Sequence, residues 1–192
     1  AVPLSGNFSR SPYARADGNP VPVNQRQLGL TRSVSPGYFR TLGIPLLSGR
    51  DFSEQDKLDS PLVVILSNST SKKLFPNENP IGHQMLFGTE NGNGLSVEVI
   101  GVVGDVRSQE LSKSNDVEFY RPWSQRSAPF LNVLVRSATK PEASAGIVRS
   151  ALNKIDNGLP ILQPNTLDAI VSQSLGQQRL TMTLLGVFAG IA

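Results

Sequence analysis

The sequence of 192 residues contains no cysteine, one histidine, one tryptophan and two methionines. Without cysteine the chain has no disulfide framework, no thiol nucleophile and no thiolate metal site. Its one histidine, His83, follows Gly82 in an alternating segment, where a surface or packing role is commoner than a role as a base. The phosphate-binding pattern G-x-x-x-x-G-K-[ST] is also absent, so an ATP site of that kind lies outside this sequence. We expect a protein that is not an enzyme.

Charge is scarce as well. Charged residues make up 17% of the chain and leave a net charge of +3, and the lysines and arginines occur in ones and twos. Nucleic-acid binding usually requires a concentrated basic face, so we expect no nucleic-acid partner. Asp51, Glu54 and Asp56 lie close together, but the glycine and the bidentate glutamate of a calcium loop are missing. Because Ser53 precedes Asp56 by three residues, we interpret this group as a helix N-cap and expect no metal or cofactor.

The longest uncharged apolar stretch is residues 180–192. A membrane-spanning helix needs about 20 apolar residues, so this run is too short to span by itself. It is either a core helix or the start of a transmembrane helix, and the small residues Gly186, Ala189 and Gly190 favour the second interpretation. The sequence begins at Ala1 with neither an initiator methionine nor a signal peptide, which indicates a fragment or a processed product.

The stretch with the densest turn and helix signals runs from Val34 to Phe52 and reads VSPGYFRTLGIPLLSGRDF. Pro36 suits the first position of a helix, and Gly43 suits the residue that ends one. The alternating residues 28–34 before this helix and the apolar residues 44–47 after it are typical of strands. The stretch therefore predicts a strand-helix-strand unit.

The middle of the chain predicts a β-α-β-β arrangement. Residues 61–66 form a continuous apolar run, typical of a strand buried on both faces, and Ser67 or Asn68 caps a helix that ends near Phe75. Residues 81–87 and 95–106 follow as strands. Gly101 and its neighbours resemble a phosphate loop only superficially, since no helix follows them, and we interpret them as a bulge or a sheet crossing.

An aromatic cluster, Phe119, Tyr120 and Trp123, is the one candidate ligand-binding site in the sequence. Aromatic side chains stack on bases or sugars, although packing under a loop is the commoner explanation. After this cluster, residues 130–136 alternate as a strand, a helix starts at Pro141, and residues 159–162 predict another short strand. Thr166 or Asp168 then caps a last helix, so the end of the chain repeats the strand-helix-strand pattern.

These patterns predict an α+β fold of two lobes. Two strand-helix-strand units, residues 28–52 and 130–163, would pair into one sheet, and residues 61–125 would form an inserted small α/β lobe. Residues 180–192 would begin a transmembrane helix.

The stretch Val34 to Phe52 also closely resembles the signature of MacB-like periplasmic core domains, which occur in ABC transporter permeases of the MacB and FtsX type. The chain end around Gly186 looks like the start of the second transmembrane helix in the duplicated permeases of acidobacteria. Further matches follow in family order: Leu74-Phe75-Pro76, Asn79-Pro80-Ile81-Gly82, Val99 to Arg107, Tyr120-Arg121-Pro122, Val135-Arg136, Ile155-Asp156 and Leu159-Pro160.

The resemblance implies a fold of two lobes, in which residues 1–60 and 126–179 form a discontinuous porter-like lobe and residues 61–125 form an inserted small α/β extracytoplasmic lobe. It also implies a location on the periplasmic face of the bacterial cytoplasmic membrane, with anchoring through flanking transmembrane helices. It implies a non-catalytic, mechanical role in efflux, in which the domain couples helix motion to substrate export or to an envelope partner. Its expected partners are the transmembrane segments of the parent permease, a cytoplasmic ATPase subunit or domain, and a periplasmic adaptor or a second permease copy. The alternative is an envelope ligand-binding or sensing module with a site between the lobes.

Overall fold

The computed structural model describes residues 9–18, 21–88, 94–106, 117–126, 132–138, 140–156, 158, 165–170 and 172. The chain divides into two compact units, Ala1–Leu134 and Val135–Ala192. In its described residues the first unit has seven strands and two short α-helices. They are β1 (Ser9–Arg15), β2 (Gln27–Val34), α1 (Tyr38–Leu42), β3 (Leu46–Gly49), β4 (Val63–Ser67), α2 (Asn68–Leu74), β5 (Gln84–Phe87), β6 (Leu95–Val103) and β7 (Glu118–Pro122).

The seven strands form one mixed sheet in the order β3-β6-β4-β7-β2-β1-β5, with a further pairing between β5 and β6. This pairing joins the two sides of the sheet and closes six of the strands into a ring. Strand β6 makes the closure possible because it is long: its first half, Leu95 to Glu98, pairs with β5, and its second half, Gly101 to Val103, pairs with β3. Closure leaves the six strands of the ring without a free edge.

The first strand-helix-strand prediction is confirmed, with shifted boundaries. Helix α1 is bounded by Gly37 and Gly43, which have φ values of 79° and 72°. These left-handed values cost glycine no steric clash, which explains why both ends of so short a helix carry this residue. Pro36 lies before the helix and is not its first residue, because Gly37 takes the N-cap position.

The predictions for β4 and α2 are confirmed as well. All five residues of β4 are buried, as expected for a strand covered on both faces. Ser67 caps α2, since its Oγ accepts a hydrogen bond from the backbone N–H of Thr70. Lys72 and Lys73 lie in the last turn, where cations interact favourably with the helix dipole.

A β-bulge interrupts β6 next to Gly101, which is one of the two structures that the sequence allows there. Val64 and Ile65 of β4 pair with Val99 and Gly101, which leaves Ile100 as the extra residue. A Cβ atom at Gly101 would lie 2.5 Å from the backbone oxygen of Arg50, so a side chain does not fit here. Glycine therefore lets the chain after β3 approach the bulge closely.

Two hydrophobic cores lie on the two faces of the sheet strands. Because side chains alternate along a strand, β4 contributes Val64 and Leu66 to one core and Val63 and Ile65 to the other. The first core also contains Phe75 from the end of α2, and the second contains the aromatic side chains of α1. The remaining members of the first core are Tyr13, Met85, Phe87, Val97, Val99, Val117 and Phe119, and those of the second are Val34, Phe52, Ile100, Val103 and Tyr120.

In the second unit, the predicted helix is confirmed as α3 (Pro141–Ile155), with Pro141 in its first turn. Residues 132–136 have no regular secondary structure, so the predicted strand 130–136 is wrong over its described part. Thr166 caps a helical turn through the N–H of Ala169, at 3.1 Å. The predicted strand 159–162 and the apolar run 180–192 lie outside the described residues. Within the part of the chain that is described, no helix is long and apolar enough to cross a membrane.

The structure confirms the prediction that the fold contains both helices and strands. It does not confirm that one of the predicted lobes is porter-like. Strand β2 pairs with β7, and β3 pairs with β6, so strands from both sides of the predicted boundary at residues 60 and 61 share one sheet. The predicted lobe boundaries stay a prediction. Periodicity identifies individual strands, but strand partners depend on contacts that are distant in the sequence.

Gly49→Ala tests how closely β3 approaches the bulge. Gly49 has a φ of 74°, and a Cβ atom there would lie 2.1 Å from the carbonyl oxygen of Ile100. We expect the variant to lose about 2 kcal/mol or more of unfolding free energy, measured by urea titration. Gly82→Ala is the matched control, because Gly82 also has a positive φ, 87°, but no atom within 4 Å of the added methyl group. The control should lose only about 1 kcal/mol, and equal losses would contradict the proposed clash.

Candidate functional site

The three aromatic residues that the sequence suggests as a ligand site do not form one surface. Phe119 and Tyr120 lie on β7 with exposed fractions of 0% and 1%, and they belong to different cores. Phe119 packs edge-on against Phe87, with ring centroids 4.6 Å apart, and Tyr120 packs in the same way against Phe39, at 5.0 Å. Trp123, in a short 3-10 turn after β7, is 48% exposed.

Phe119 and Tyr120 are both buried, so they pack in the way that the sequence interpretation gives as the commoner one for such residues. Both faces of β7 are covered, so strand alternation sends the two rings into two cores instead of one face to solvent. A ligand-binding role for the three residues stays a prediction, and among them only Trp123 has the exposure that it needs.

A buried ion pair joins the adjacent strands β2 and β7. The Nε of Arg32 donates to Oε1 of Glu118, and the two residues are 2% and 4% exposed. Removing one member of such a pair leaves an uncompensated charge in the interior, which is strongly destabilising. Each residue therefore requires the other. Sequence reasoning missed the pair, because 86 residues separate its members.

Helix α2 is attached to the start of β7 by Thr70. Its Oγ1 accepts a hydrogen bond from the backbone N–H of Glu118 at 2.8 Å and donates to the backbone oxygen of the same residue at 3.2 Å. Ser67, the cap residue of α2, donates to the same Thr70 hydroxyl at 2.8 Å. Glu118 is thus held by β2 through its side chain and by α2 through its backbone.

Two buried tyrosines lie near this ion pair. Burial raises the pKa of Tyr38 to about 12. Burial also raises the pKa of Tyr120 well above its ordinary value, and the neighbouring Glu118 carboxylate raises it further. Both phenols are therefore neutral at physiological pH. Their aromatic packing against each other, with ring centroids 6.2 Å apart, indicates a structural role.

Arg50 and Asp56 close the turn that follows β3. The two terminal nitrogens of Arg50 donate to the two carboxylate oxygens of Asp56, at 2.9 and 2.8 Å, and the backbone N–H of Ser53 donates to Asp56 at 2.8 Å. The hydrogen bond from Arg50 is the main reason that the pKa of Asp56 is lowered. Ser53 and Asp56 thus form bonds of the kind expected at a helix cap, but turns follow instead of a helix. The helix predicted there is wrong.

The same turn is bound to the segment after β7. The Oγ of Ser124 donates to the backbone oxygen of Asp56 at 2.6 Å. The side-chain amide of Gln125, which is buried, donates to the backbone oxygens of Lys57 and Pro61 at 3.1 and 3.0 Å and accepts from the N–H of Val63 at 3.0 Å. These bonds fix the start of β4 against the end of β7.

The described chain enters and leaves the seven-stranded sheet at the same end. Strand β1 begins at Ser9, opposite Thr31 near the end of β2, and β7 finishes at Pro122, opposite Val34. Strand β2 is the only strand between these two points, so they are separated across the sheet by two strand spacings, about 10 Å. We call this end, defined by Ser9, Val34 and Pro122, the connection end.

His83 is a packing residue in a charged network, as the sequence suggests. Its Nδ1 lies 2.7 Å from Oδ2 of Asp17, and its ring packs on Phe75 with a centroid distance of 5.1 Å. Arg15 binds Asp17 and Glu78 and places its guanidinium 4.3 Å from the Phe75 ring centroid. The hydrogen bond from Arg15 is the main reason that the pKa of Asp17 lies far below its ordinary value.

A groove of about 500 Å³ lies between β3 and α2, with Leu47 and Lys72 on its two sides and Phe75 and Val102 among its lining residues. No sequence motif pointed to this groove. Within the residues that the structure describes, no group of three or more His, Asp or Glu side chains is arranged to hold a metal ion.

The described part of the first unit is thus a mixed α/β domain whose chain enters and leaves the sheet at one end. The family model of the MacB-like periplasmic core domain matches residues 4–154, and the chain belongs to this family. The chain is 27% identical over 183 residues to the macrolide export ATP-binding/permease protein MacB 2 of Aeromonas hydrophila, an alignment that covers 91% of this chain and 27% of that protein.

Two solved structures show the same fold. The periplasmic region of MacB from Actinobacillus actinomycetemcomitans has a TM-score of 0.50 and 24% identity, over 79% of this chain and 69% of that one. The extracellular domain of the ABC-type transporter YknZ from Gram-positive bacteria has a TM-score of 0.52 and 20% identity, over 78% of this chain and 73% of that one. The chain spans only 13% to 27% of the length of three curated relatives that it matches.

Asp56→Asn tests the Arg50–Asp56 bond. A carboxyl with a lowered folded-state pKa contributes stability that is present above its unfolded pKa, about 3.9, and lost as the pH falls through the folded value. At pH 7 the variant should lose about 2 kcal/mol, because charge-assisted hydrogen bonds are removed. As the pH falls below about 4, the difference between the wild-type protein and the variant should shrink.

The control for this experiment is Asp59→Asn, which changes an exposed carboxylate in the same turn region. Its unfolding free energy, measured by urea titration at each pH, should stay within about 0.5 kcal/mol of the wild-type value. A difference between Asp56→Asn and the wild-type protein that does not change with pH would contradict the account.

Proposed function

We propose that this chain is the extracytoplasmic domain of an ABC transporter permease of the MacB and FtsX type. In this proposal the domain lies on the periplasmic face of the cytoplasmic membrane and is anchored there through flanking transmembrane helices. It performs no chemistry of its own. It transmits motion of those helices to an exported substrate or to another envelope protein.

The observation that supports this proposal most directly is that the chain enters and leaves the sheet at one end, the connection end. Ser9 and Pro122 lie at the same end of the sheet, so the chain enters β1 and leaves β7 from one side of that sheet. A domain joined in this way can project from a membrane, with both of its connections facing that membrane. Family membership supports the location, because the matched model describes a periplasmic core domain.

The closed ring of strands supports a mechanical role. Strands β1 and β7, at which the chain enters and leaves, both pair with β2, and the ring continues through β4, β6 and β5. A displacement applied at the connection end therefore reaches the whole ring through continuous hydrogen-bonded pairs. A closely packed interior has low compressibility and transmits strain.

The partners and the cargo belong to the same proposal. The relatives are named as exporters of macrolides and, with the word probable, of syringafactin, and as proteins that combine an ATP-binding part with a permease. For this chain we propose an ATPase subunit or domain on the cytoplasmic side, as well as a periplasmic adaptor or a second permease copy as the neighbour outside. Its cargo would be a substrate for export.

Labelling of whole cells tests the location. This sequence has no cysteine, so Lys73→Cys places a single thiol on an exposed position of α2. The variant is introduced into the complete parent protein after any other cysteines have been replaced. A maleimide that cannot cross the cytoplasmic membrane should label it in intact cells as fully as in lysed cells. Labelling that requires lysis of the cells would contradict the proposed location, and a thiol placed in the cytoplasmic ATPase is the control.

A further inference from the structure

We propose that the open edge of β3, together with the groove between β3 and α2, is a docking site for an extended peptide segment of a partner protein. The segment would add one more strand to the sheet beside β3, and its side chains would enter the groove. This inference rests on the proposed function, because the partner would be an envelope protein that meets the domain outside the cytoplasmic membrane.

Strand β3 forms the open edge of the sheet. Within the described residues it lies outside the ring, at the end of the strand order, and its only neighbour is β6. All four of its residues are exposed, among them Leu46 at 44% and Leu47 at 51%. Natural proteins commonly protect such an edge with charged side chains, and β3 carries none. The edge is therefore open to pairing with another strand.

The backbone of β3 offers hydrogen-bonding groups on this open side. Leu46 pairs with Val103, and on one side of this pair the N–H of the next residue of β6, Gly104, donates to the backbone oxygen of Pro45 at 2.9 Å. When antiparallel bonds flank a pair in this way, the N–H and C=O of the paired residue point away from its partner strand. Leu46 thus presents both groups to a strand that adds outside β3. Because β3 has four residues and its register shifts before Ser48, the added strand is short.

The groove beside β3 provides a binding surface for the side chains of the added strand. It has a volume of about 500 Å³ and lies between β3 and α2, and Leu47, Phe75 and Val102 give it apolar surface. Successive side chains of a strand point to opposite faces of a sheet, so every second side chain of the added strand would point to the face on which α2 lies. We therefore expect an occupant with apolar side chains at alternate positions.

Lys72 adds a preference for negative charge. It lines the groove and is exposed, and none of the ion pairs between described residues includes it. The other charged residue of the groove, Glu78, is paired with Arg15 at 3.0 Å. The charge that the groove offers to an occupant is thus positive, and an aspartate or glutamate in the peptide would complement it.

A selection from a displayed library of random peptides tests the docking site. The target is the whole chain of 192 residues, and the peptides have about seven residues, enough to pair with the four residues of β3. We expect the enriched peptides to alternate apolar and polar residues and to contain an acidic residue. A labelled synthetic copy of the most enriched peptide is then titrated with the chain, and its fluorescence anisotropy gives the dissociation constant. A library that yields no enriched peptide, or only peptides without this alternation, would refute the docking site.

Backbone methylation of the peptide separates strand addition from binding through side chains alone. Only every second backbone N–H of an added strand points to β3. Methylation of one alternate set of nitrogens should therefore weaken binding at least about tenfold, because hydrogen bonds to β3 are lost. Methylation of the other set is the matched control and should change the dissociation constant by about twofold or less. If both sets have the same effect, the peptide does not pair with β3 and the proposal is wrong.

Charge reversal on α2 tests the role of Lys72. Lys72→Glu should weaken binding of the acidic peptide about fivefold, since an attraction becomes a repulsion. Lys73→Glu is the matched control, because Lys73 is also exposed in the last turn of α2 but does not line the groove. Its dissociation constant should stay within about twofold of the wild-type value. Equal weakening by the two variants would contradict binding in the groove.

A second copy of the chain is the competing occupant, because two β3 edges can pair with each other. Analytical ultracentrifugation with and without the peptide distinguishes the two cases. A dimer that the peptide dissociates would show that a second copy takes this edge, and the proposal would be overturned. These outcomes are separate from the labelling result: the peptide data test the edge of β3, and the labelling of Lys73→Cys tests the location.

Discussion

The closed ring depends on one interaction in its interior, the ion pair between Arg32 and Glu118. Strands β2 and β7 meet at this pair, and helix α2 joins them there through Thr70. A charge buried in the sheet is tolerated only with a partner, so the pair ties the pairing of β2 to the position of β7. The ends of the same region are held by polar contacts of Arg50, Asp56, Ser124 and Gln125, which bind the turn after β3 to the segment after β7.

In the proposed function, this arrangement of the first unit serves to transmit movement. The tyrosines beside the ion pair have raised pKa values and are neutral at physiological pH, and two of the three aromatic residues that suggested a ligand site are core residues. What distinguishes the unit is its connection end, where the chain enters on β1 and leaves on β7 with β2 between them. The chain belongs to the family of MacB-like periplasmic core domains. In our proposal, both connections of such a domain face the membrane.

Local signals in the sequence predict local structure well here. The glycines around α1, the apolar run of β4 and the serine cap of α2 all depend on residues that are near one another in the chain. Predictions that depend on distant contacts were less successful. Ser53 and Asp56 show a capping pattern, yet Asp56 is bound by Arg50 and the chain forms a turn. Phe119 and Tyr120 are adjacent in the sequence, which suggests an aromatic surface. Their burial becomes evident only when the strands that pair with β7 on both sides are known.

The most direct test of the account is the distance between positions 9 and 126 in the complete transporter. Spin labels are attached to Ser9→Cys and Arg126→Cys, and pulsed electron resonance measures the distance between them without nucleotide and with ATP bound. In a separate sample, a label on Lys73→Cys reports movement of the domain relative to the membrane. The account predicts a narrow distance distribution between positions 9 and 126 that is the same in both states, together with a change at position 73. A distribution between positions 9 and 126 that broadens or shifts by several ångströms on ATP binding would contradict it.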